Sequence, residues 1–443
     1  KVIIVDKHEA PGGHWNDAYD HVRLHQPSVL YGVESKQLEG NWLWCLLAKR
    51  TLPWQHRATK KEILEYFGDL VNKWVAKGQV RYFPKHVFDF DLFDATEQRE
   101  ARFVSLDGKD KMYGVAVAER VVNGAIMEPL VPSLTPVPFP VDPGIDLITP
   151  NELFERKVKG HHHYVVIGCG KTGMDAVTHL QREKGVDPKN VTLIMPNDCW
   201  IFNRNSLKKR NSTPLDFPSA VLDCDGDMGK ALRSMEDQGK LVRVDPSVTP
   251  TRFRYAMIGQ KELLLLRQVR KVREGRVAGI KKCGGKNVLL EFEKEGCNIP
   301  FDKDVTFVHC CSPGPFNGHP MSYESDNWPI FSDKMITLAI IATPPISFSV
   351  SCIAYLEASR LLGKLDLEFG RKLLGGDSGV TPELEPDLVL KKFVKHFSPL
   401  NESPRAQTSP MKLLAMFFAL ADSNCMKVME WAKQNRLAVS ALR

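Results

Sequence analysis

The chain has 443 residues, 43% of them hydrophobic and 26% charged, with a net charge of +7. That length exceeds one ordinary core and sets an expectation of about two or three domains, while a charge excess this mild, without a recognition module, excludes nucleic-acid binding as the first reading. The 10 cysteines show no C-x-x-C and no zinc spacing. This favours reduced thiols in a cytoplasmic setting, with no metal site, and speaks against a disulfide reductase. No apolar run reaches the ~20 residues needed to span a bilayer; residues 413–421 come nearest and read as a docked helix. No signal peptide is expected from the residues read.

Taken in order, residues 2–5 read V-I-I-V and close on Asp6. A buried parallel strand ending in an acid is the second strand of a dinucleotide-binding unit, where the carboxylate accepts hydrogen bonds from a ribose; an Asp that only opens a turn is the equal alternative. Residues 10–15 continue A-P-G-G-H-W, and residues 22–33 carry His25 and Gln26 ahead of Pro27. Over residues 59–75, Ile63, Tyr66, Phe67, Leu70, Val71 and Trp74 recur on one helical face, with Thr59 as the cap. Strands are expected at 80–83, 87–92, 102–106 and 112–117, as a small antiparallel insert. The Pro-rich run 129–150 is a domain crossover, too full of prolines for helix or central strand. His161, His162 and His163 stand at a strand entrance, where alternate residues face opposite ways, so solvated rings are favoured over a metal site.

Residues 164–177 read Y-V-V-I-G-C-G-K-T-G-M-D-A-V. A buried strand breaks into Gly168, Gly170 and Gly173, spaced G-x-G-x-x-G, and then into apolar residues at helical spacing. Gly168 allows the tight turn, Gly170 lets backbone approach a pyrophosphate, and Gly173 lets helix and strand pack closely. The helix-start N–H groups, with Lys171 and Thr172 among them, then face the phosphates. Residues 191–195 supply the next strand of a βαβ unit. An NAD-specific unit ends that strand in an acid, whereas this chain has Met195, Pro196 and Asn197 there, with Asp198 close by. Basic residues downstream suit a 2′-phosphate, Arg204 foremost, so NADPH is favoured over NADH; for the run from Lys208 a solvated loop is the alternative. Residues 260–272 read as helix, and strands follow at 277–280, 288–292 and 305–310. Cys310 and Cys311 lack any neighbouring base, so they read as buried thiols. A linker at 375–386 and helices around 388–397 and 411–435 close the chain.

The pairing of an acid-terminated strand with Gly-Gly-x-Trp (Asp6, Gly12, Gly13, Trp15), followed by the second glycine motif, resembles the flavin-containing monooxygenase family. It is also similar to related two-dinucleotide flavoproteins, over about the first 360 residues. The resemblance implies an α/β chain of two Rossmann-like, three-layer FAD/NAD(P)-binding domains, the first incomplete at its N-terminus. Residues 1–155 would be the first part of the FAD domain, 156–320 the NAD(P)H domain, 321–375 the return to the FAD domain, and 376–443 a helical appendage. FAD would lie along Asp6, Lys7, Gly12, Gly13, His14 and Trp15. His25 and Gln26 would come near the isoalloxazine ring, with polar contacts in a loop as the equal alternative. The strand and glycine motif expected ahead of Lys1 are not in the sequence, so it reads as a piece of a longer FAD protein, or else as a chain that has lost FAD binding.

Departures from the family pattern are also plain. Val122, Asn123 and Gly124 replace Ala-Thr-Gly, Cys310, Cys311 and Ser312 stand where a second such triplet is expected, and the Phe-x-Gly fingerprint is absent. By the resemblance, NADPH on the Gly168 loop reduces FAD, and the flavin hydroperoxide formed with molecular oxygen oxygenates a small-molecule substrate. An NADPH-dependent flavin reductase or oxidase without oxygen insertion is one alternative, and a non-catalytic nucleotide-binding protein another. No protein acid or base stands out as catalytic, and neither substrate nor oligomeric state follows from the sequence.

Overall fold

The computed structural model describes residues 1–28, 31–33, 36–38, 56–95, 99–108, 111–125, 129–158, 161–208, 220, 224, 227–284, 287–302, 304–312 and 334–337. Apart from 334–337, the expected return to the FAD domain over 321–375, the linker at 375–386, the helices around 388–397 and 411–435, and the basic run beyond Lys208 lie outside these residues. The chain divides into two compact units. One comprises Lys1–Ala18, Pro27–Pro129 and the last described strand, and the other comprises Tyr19–Gln26 and the described part of Leu130–Gly314.

In the first unit, β1 (Val2–Asp6) leads into the turn of 3-10 helix at Gly13–Trp15. Gly12 has φ 137°, and a side chain there would strike Leu64, with Cδ2 only 2.5 Å from the Cβ position. A short antiparallel pair, β2 (Gly32–Val33) and β3 (Lys36–Gln37), precedes α1 (Lys60–Ala76). The Thr59 Oγ1 accepts the Glu62 N–H while the Glu62 carboxylate accepts the Thr59 N–H, the reciprocal cap that a Thr-x-x-Glu start permits. Its buried face is Ile63, Tyr66, Leu70 and Val71. The chain then enters β4 (Val80–Pro84), parallel to β1.

Next, β5 (His86–Phe88), β6 (Glu100–Ser105) and β7 (Met112–Ala116) form an antiparallel sheet. The strand expected over 87–92 stops at Phe88 and is replaced by a helix, α2 (Phe90–Ala95). The cause is local: the Asp89 carboxylate accepts the Leu92 N–H at 2.8 Å, the capping bond that starts a helix. A short strand β8 (Val121–Asn123) ends this stretch.

The second unit holds a five-stranded, wholly parallel sheet. After β9 (Leu147–Ile148) and α3 (Pro150–Glu155), β10 (His163–Ile167) runs into α4 (Lys171–Arg182), and β11 (Val191–Ile194) returns alongside β10. A three-stranded sheet follows from β12 (Cys199–Asn203), β13 (Leu241–Arg243) and β14 (Arg252–Ile258), with α5 (Met228–Asp237) between the first two. Then come α6 (Gln260–Gln268) and β15 (Arg270–Val272). The single helix expected over 260–272 is therefore a helix and a strand: Arg270–Val272 leaves the helix to pair with β11 at the sheet edge.

An antiparallel sheet of β16 (Val277–Cys283), β17 (Asn287–Phe292) and β18 (Ile299–Asp302) precedes β19 (Val305–His309). The parallel order is β15-β11-β10-β19-β9. Counting from β10 as first, the first four strands read 3-2-1-4, so the order reverses between β10 and β19. Alternate residues of β10 feed two cores: Tyr164 and Val166 pack with Met174, Val177 and Leu180 of α4, while Val165 and Ile167 face Ile280, Leu290 and Phe307. Helix, parallel sheet and antiparallel sheet thus form three layers. The last described strand, β20 (Met335–Thr337), belongs to the first unit and runs parallel to β8.

The histidine run is not left to solvent throughout. His162 Nε2 meets Thr306 Oγ1 at 2.7 Å and His163 Nε2 meets Thr192 Oγ1 at 2.9 Å. These threonines stand on β19 and β11, the neighbours on either side of β10, so the rings are satisfied within the sheet.

Candidate functional site

The site is built at the carboxyl end of β10. Gly168 takes φ 116°, a backbone that L side chains rarely adopt, and its own Cβ would lie 2.9 Å from the Cys310 carbonyl. At Gly173 an added Cβ would collide with the Gly168 carbonyl oxygen and stand 2.9 Å from its carbon, so helix and turn touch there because there is no side chain. Gly170 differs, with nothing within 4 Å of its Cβ position. It is the N-cap of α4, with no side-chain cap and no acid in the first turn. By contrast Thr59, Thr149 and Asp227 cap α1, α3 and α5 with side-chain oxygens, and the Glu262 carboxylate takes the Gly259 N–H at α6. The positive end of the α4 dipole is therefore met by no capping side chain and no acid of its own first turn.

Charged side chains ring this helix start. Lys171 Nζ is hydrogen-bonded to Asp175 one turn on, and Glu262 Oε1 lies 3.9 Å away. The other Asp175 oxygen accepts the Tyr19 hydroxyl at 2.9 Å. Burial, with Asp175 alongside, pushes the Tyr19 phenol well above its ordinary value. Arg204 donates from Nη1 to Glu262 (2.7 Å), from Nη2 to the Met257 carbonyl (2.9 Å) and from Nε to the His25 carbonyl (2.6 Å). His25 Nδ1 accepts the Met257 N–H at 3.3 Å, and the Gln26 Oε1 is buried without a partner. His25 and Gln26 thus share the second unit with Gly168, Gly170, Lys171, Thr172, Gly173, Asn197 and Arg204, whereas Asp6, Lys7, Gly12, Gly13, His14 and Trp15 belong to the first.

At the end of β11 the Asn197 carbonyl accepts from the Cys169 thiol at 3.5 Å. The neighbouring Asp198 carboxylate is fully covered, with burial raising its pKa; it accepts the Cys199 N–H at 2.9 Å and Arg273 Nη2 at 3.4 Å. Arg273 donates also to Asp245 at 2.7 Å. The acid nearest the strand end is thereby enclosed in the protein. Arg273 and Tyr19 escaped the sequence reading because their partners lie far off in the chain, and no local signal marks either. Of the two thiols read as buried, Cys310 is buried and pushed well up by desolvation, whereas Cys311 is half-buried and pushed up to about 11.

In the first unit, Asp6 ends β1 and its Oδ1 accepts the His8 N–H at 2.9 Å and meets His8 Nδ1 at 3.0 Å, while Oδ2 faces the Tyr82 hydroxyl at 3.5 Å. Trp15 is buried and donates from Nε1 to the Tyr31 hydroxyl at 2.9 Å. Lys7 and His14 are exposed, and Gly13 has nothing within 4 Å of its Cβ position.

Among solved structures, cyclohexanone monooxygenase with bound ε-caprolactone in its Loose conformation superposes with a TM-score of 0.50, over 98% of this chain and 93% of that one at 14% identity. The chain shares the fold of cyclohexanone monooxygenase. It is an α/β fold with parallel sheets, as in that two-domain flavin monooxygenase. Ornithine N-hydroxylase of Kutzneria sp. 744 gives a TM-score of 0.46 at 10% identity, over 82% of this chain and 92% of that one. No family model matches. Uncharacterized proteins of Mycobacterium tuberculosis (strain H37Rv) and Mycobacterium bovis are 32% identical over 365 residues, which is 81% of this chain and 62% of each relative. The chain thus spans about six tenths of the length of these curated relatives. Among the described residues no helix is long and apolar enough to cross a membrane.

Proposed function

We propose that this chain belongs to an FAD-dependent, NADPH-using oxidoreductase of the monooxygenase type, acting on a small organic molecule with molecular oxygen in the cytoplasm. The observation that carries the reading is the start of α4, where an uncapped helix follows a parallel strand through Gly168 and Gly170 at the point of strand reversal, with space free at Gly170. These residues fit a dinucleotide pyrophosphate: the N–H groups of Lys171, Thr172 and Gly173 would hold it, and Lys171 would supply charge. The enclosure of Asp198 by Arg273 removes the carboxylate that an NADH ribose diol would use, which favours NADPH. Arg204 would reach a 2′-phosphate only by giving up one of its three acceptors.

In the first unit, the turn leaves room for close backbone approach at Gly13, so Asp6 to Trp15 would hold part of FAD. Bound NADPH would supply the hydride, and bound FAD the electron and oxygen chemistry. The chain itself would hold each and exclude water around it; buried Trp15 in the first unit and Leu24 in the second are suited to the latter. That Asp6 already accepts the His8 N–H and lies against its Nδ1 favours, as a second reading, a chain that keeps only the NADPH site. An absorption spectrum of the purified chain, taken before and after NADPH is added without oxygen, separates them. Flavin bands that bleach support the oxidoreductase, and oxygenated product on admitting air supports the monooxygenase. A chain without flavin that still binds NADPH supports the second reading, and no binding of either overturns both.

A further inference from the structure

Lys171 occupies the x after the second glycine of the motif and is the first residue of α4. Its ammonium is held between two carboxylates, Asp175 and Glu262, and the side chains of Lys171, Asp175 and Glu262 are only 17%, 13% and 7% exposed. Each carboxylate anchors one end of the same segment, Tyr19–Gln26. Asp175 takes the Tyr19 hydroxyl, and Glu262 holds Arg204, whose Nε takes the His25 carbonyl. The two cations, Lys171 and Arg204, balance the two anions. An incoming pyrophosphate at the helix start would upset that balance, because Lys171 stands nearest to it and pairs with a carboxylate it can exchange.

We propose that Lys171 is an exchangeable ion-pair partner through which the pyrophosphate of a bound dinucleotide tightens the Tyr19–Gln26 segment. The inference rests on the dinucleotide reading above. On binding, Lys171 leaves Asp175 for the phosphate. Asp175 then bears its charge on the Tyr19 hydroxyl alone, and a hydrogen bond to an uncompensated carboxylate is a stronger one. Glu262 likewise loses Lys171 and keeps Arg204, which firms the hold on the His25 carbonyl. Asp175 therefore competes with the ligand for Lys171, and a competing partner has a signature that a structural salt bridge lacks.

The test is the NADP⁺ affinity of the full chain and its Lys171→Gln, Asp175→Asn and doubly substituted forms, read by calorimetry, with thermal melts to establish folding. Lys171→Gln should weaken binding about tenfold, Asp175→Asn should tighten it severalfold, and the gain should vanish in the double variant. NADP⁺ should also slow hydrogen exchange over residues 19–26 in the native chain but not in Tyr19→Phe. If Asp175→Asn weakens binding as Lys171→Gln does, or if neither changes it, the exchange is refuted while the dinucleotide site stands. No binding by the native chain would overturn both. Should Asp175→Asn melt early, the exchange measurement on native chain and Tyr19→Phe decides: equal protection in both refutes the coupling.

Discussion

Replacing Gly173 by alanine separates the mechanical role of the glycine loop from its ligand role. The new Cβ would overlap the Gly168 carbonyl oxygen and sit 2.9 Å from its carbon, both backbone atoms that cannot rotate aside. Relief requires α4 to lift off the turn, and with it Met174 and Val177, which are 1% and 0% exposed in the core. Overpacking of this kind costs about 1–3 kcal/mol, which for a unit of this size lowers the melting temperature by roughly 2–12 °C. Gly170→Ala is the control: its φ of −70° suits alanine and the Cβ position is open, so the melt should stay within about 2 °C of native. That open position is where a pyrophosphate would lie, so Gly170→Ala should weaken NADPH binding about tenfold or more. Thermal melts and NADPH fluorescence titrations of both variants provide the assay. A Gly173→Ala chain that melts like native, or a Gly170→Ala chain that binds NADPH undiminished, would refute the reasoning.

Arg204→Met strips the buried Glu262 of its guanidinium partner and should destabilise the second unit by about 3 kcal/mol, weakening NADPH and NADH alike; a selective loss of NADPH in a stable variant would instead place Arg204 on the 2′-phosphate. A second expectation concerns acid. The His21 and His179 rings stack at 4.2 Å, and both His21 nitrogens and the His179 Nε2 are buried without partners, with burial lowering their pKa values to about 3 and about 4. The fold therefore favours the neutral rings. The stability this contributes is full above the ordinary imidazole value of 6.5 and is lost as pH falls from there toward 4 and 3. At pH 5 the loss should be on the order of 2 kcal/mol per ring, seen as a falling melting temperature whose slope is reduced in His21→Phe; an unchanged slope would contradict it.

The parts of this fold legible in sequence are those whose cause is local. The strand, turn and helix around Gly168 follow from adjacent residues, and the Thr59–Glu62 cap announces α1. Short strands whose pairing decides them were not legible: Cys199–Asn203 reads as four apolar residues and an Asn, and becomes a strand by pairing with Leu241–Arg243 and Arg252–Ile258. Arg270–Val272 continues a helical pattern until its partner on β11 draws it into the sheet. At the site, the glycines and Lys171 were visible because a motif fixes their spacing. The Tyr19–Asp175 and Arg204–Glu262 bonds were not, since they join residues far apart in the chain by side chains that could as well face solvent.

The most direct test of the account is hydrogen exchange of the purified chain with and without NADP⁺. The account predicts slowed exchange concentrated at the amides of residues 168–175, where the start of α4 would take up the pyrophosphate. Unchanged exchange there, with protection elsewhere or nowhere, would contradict it.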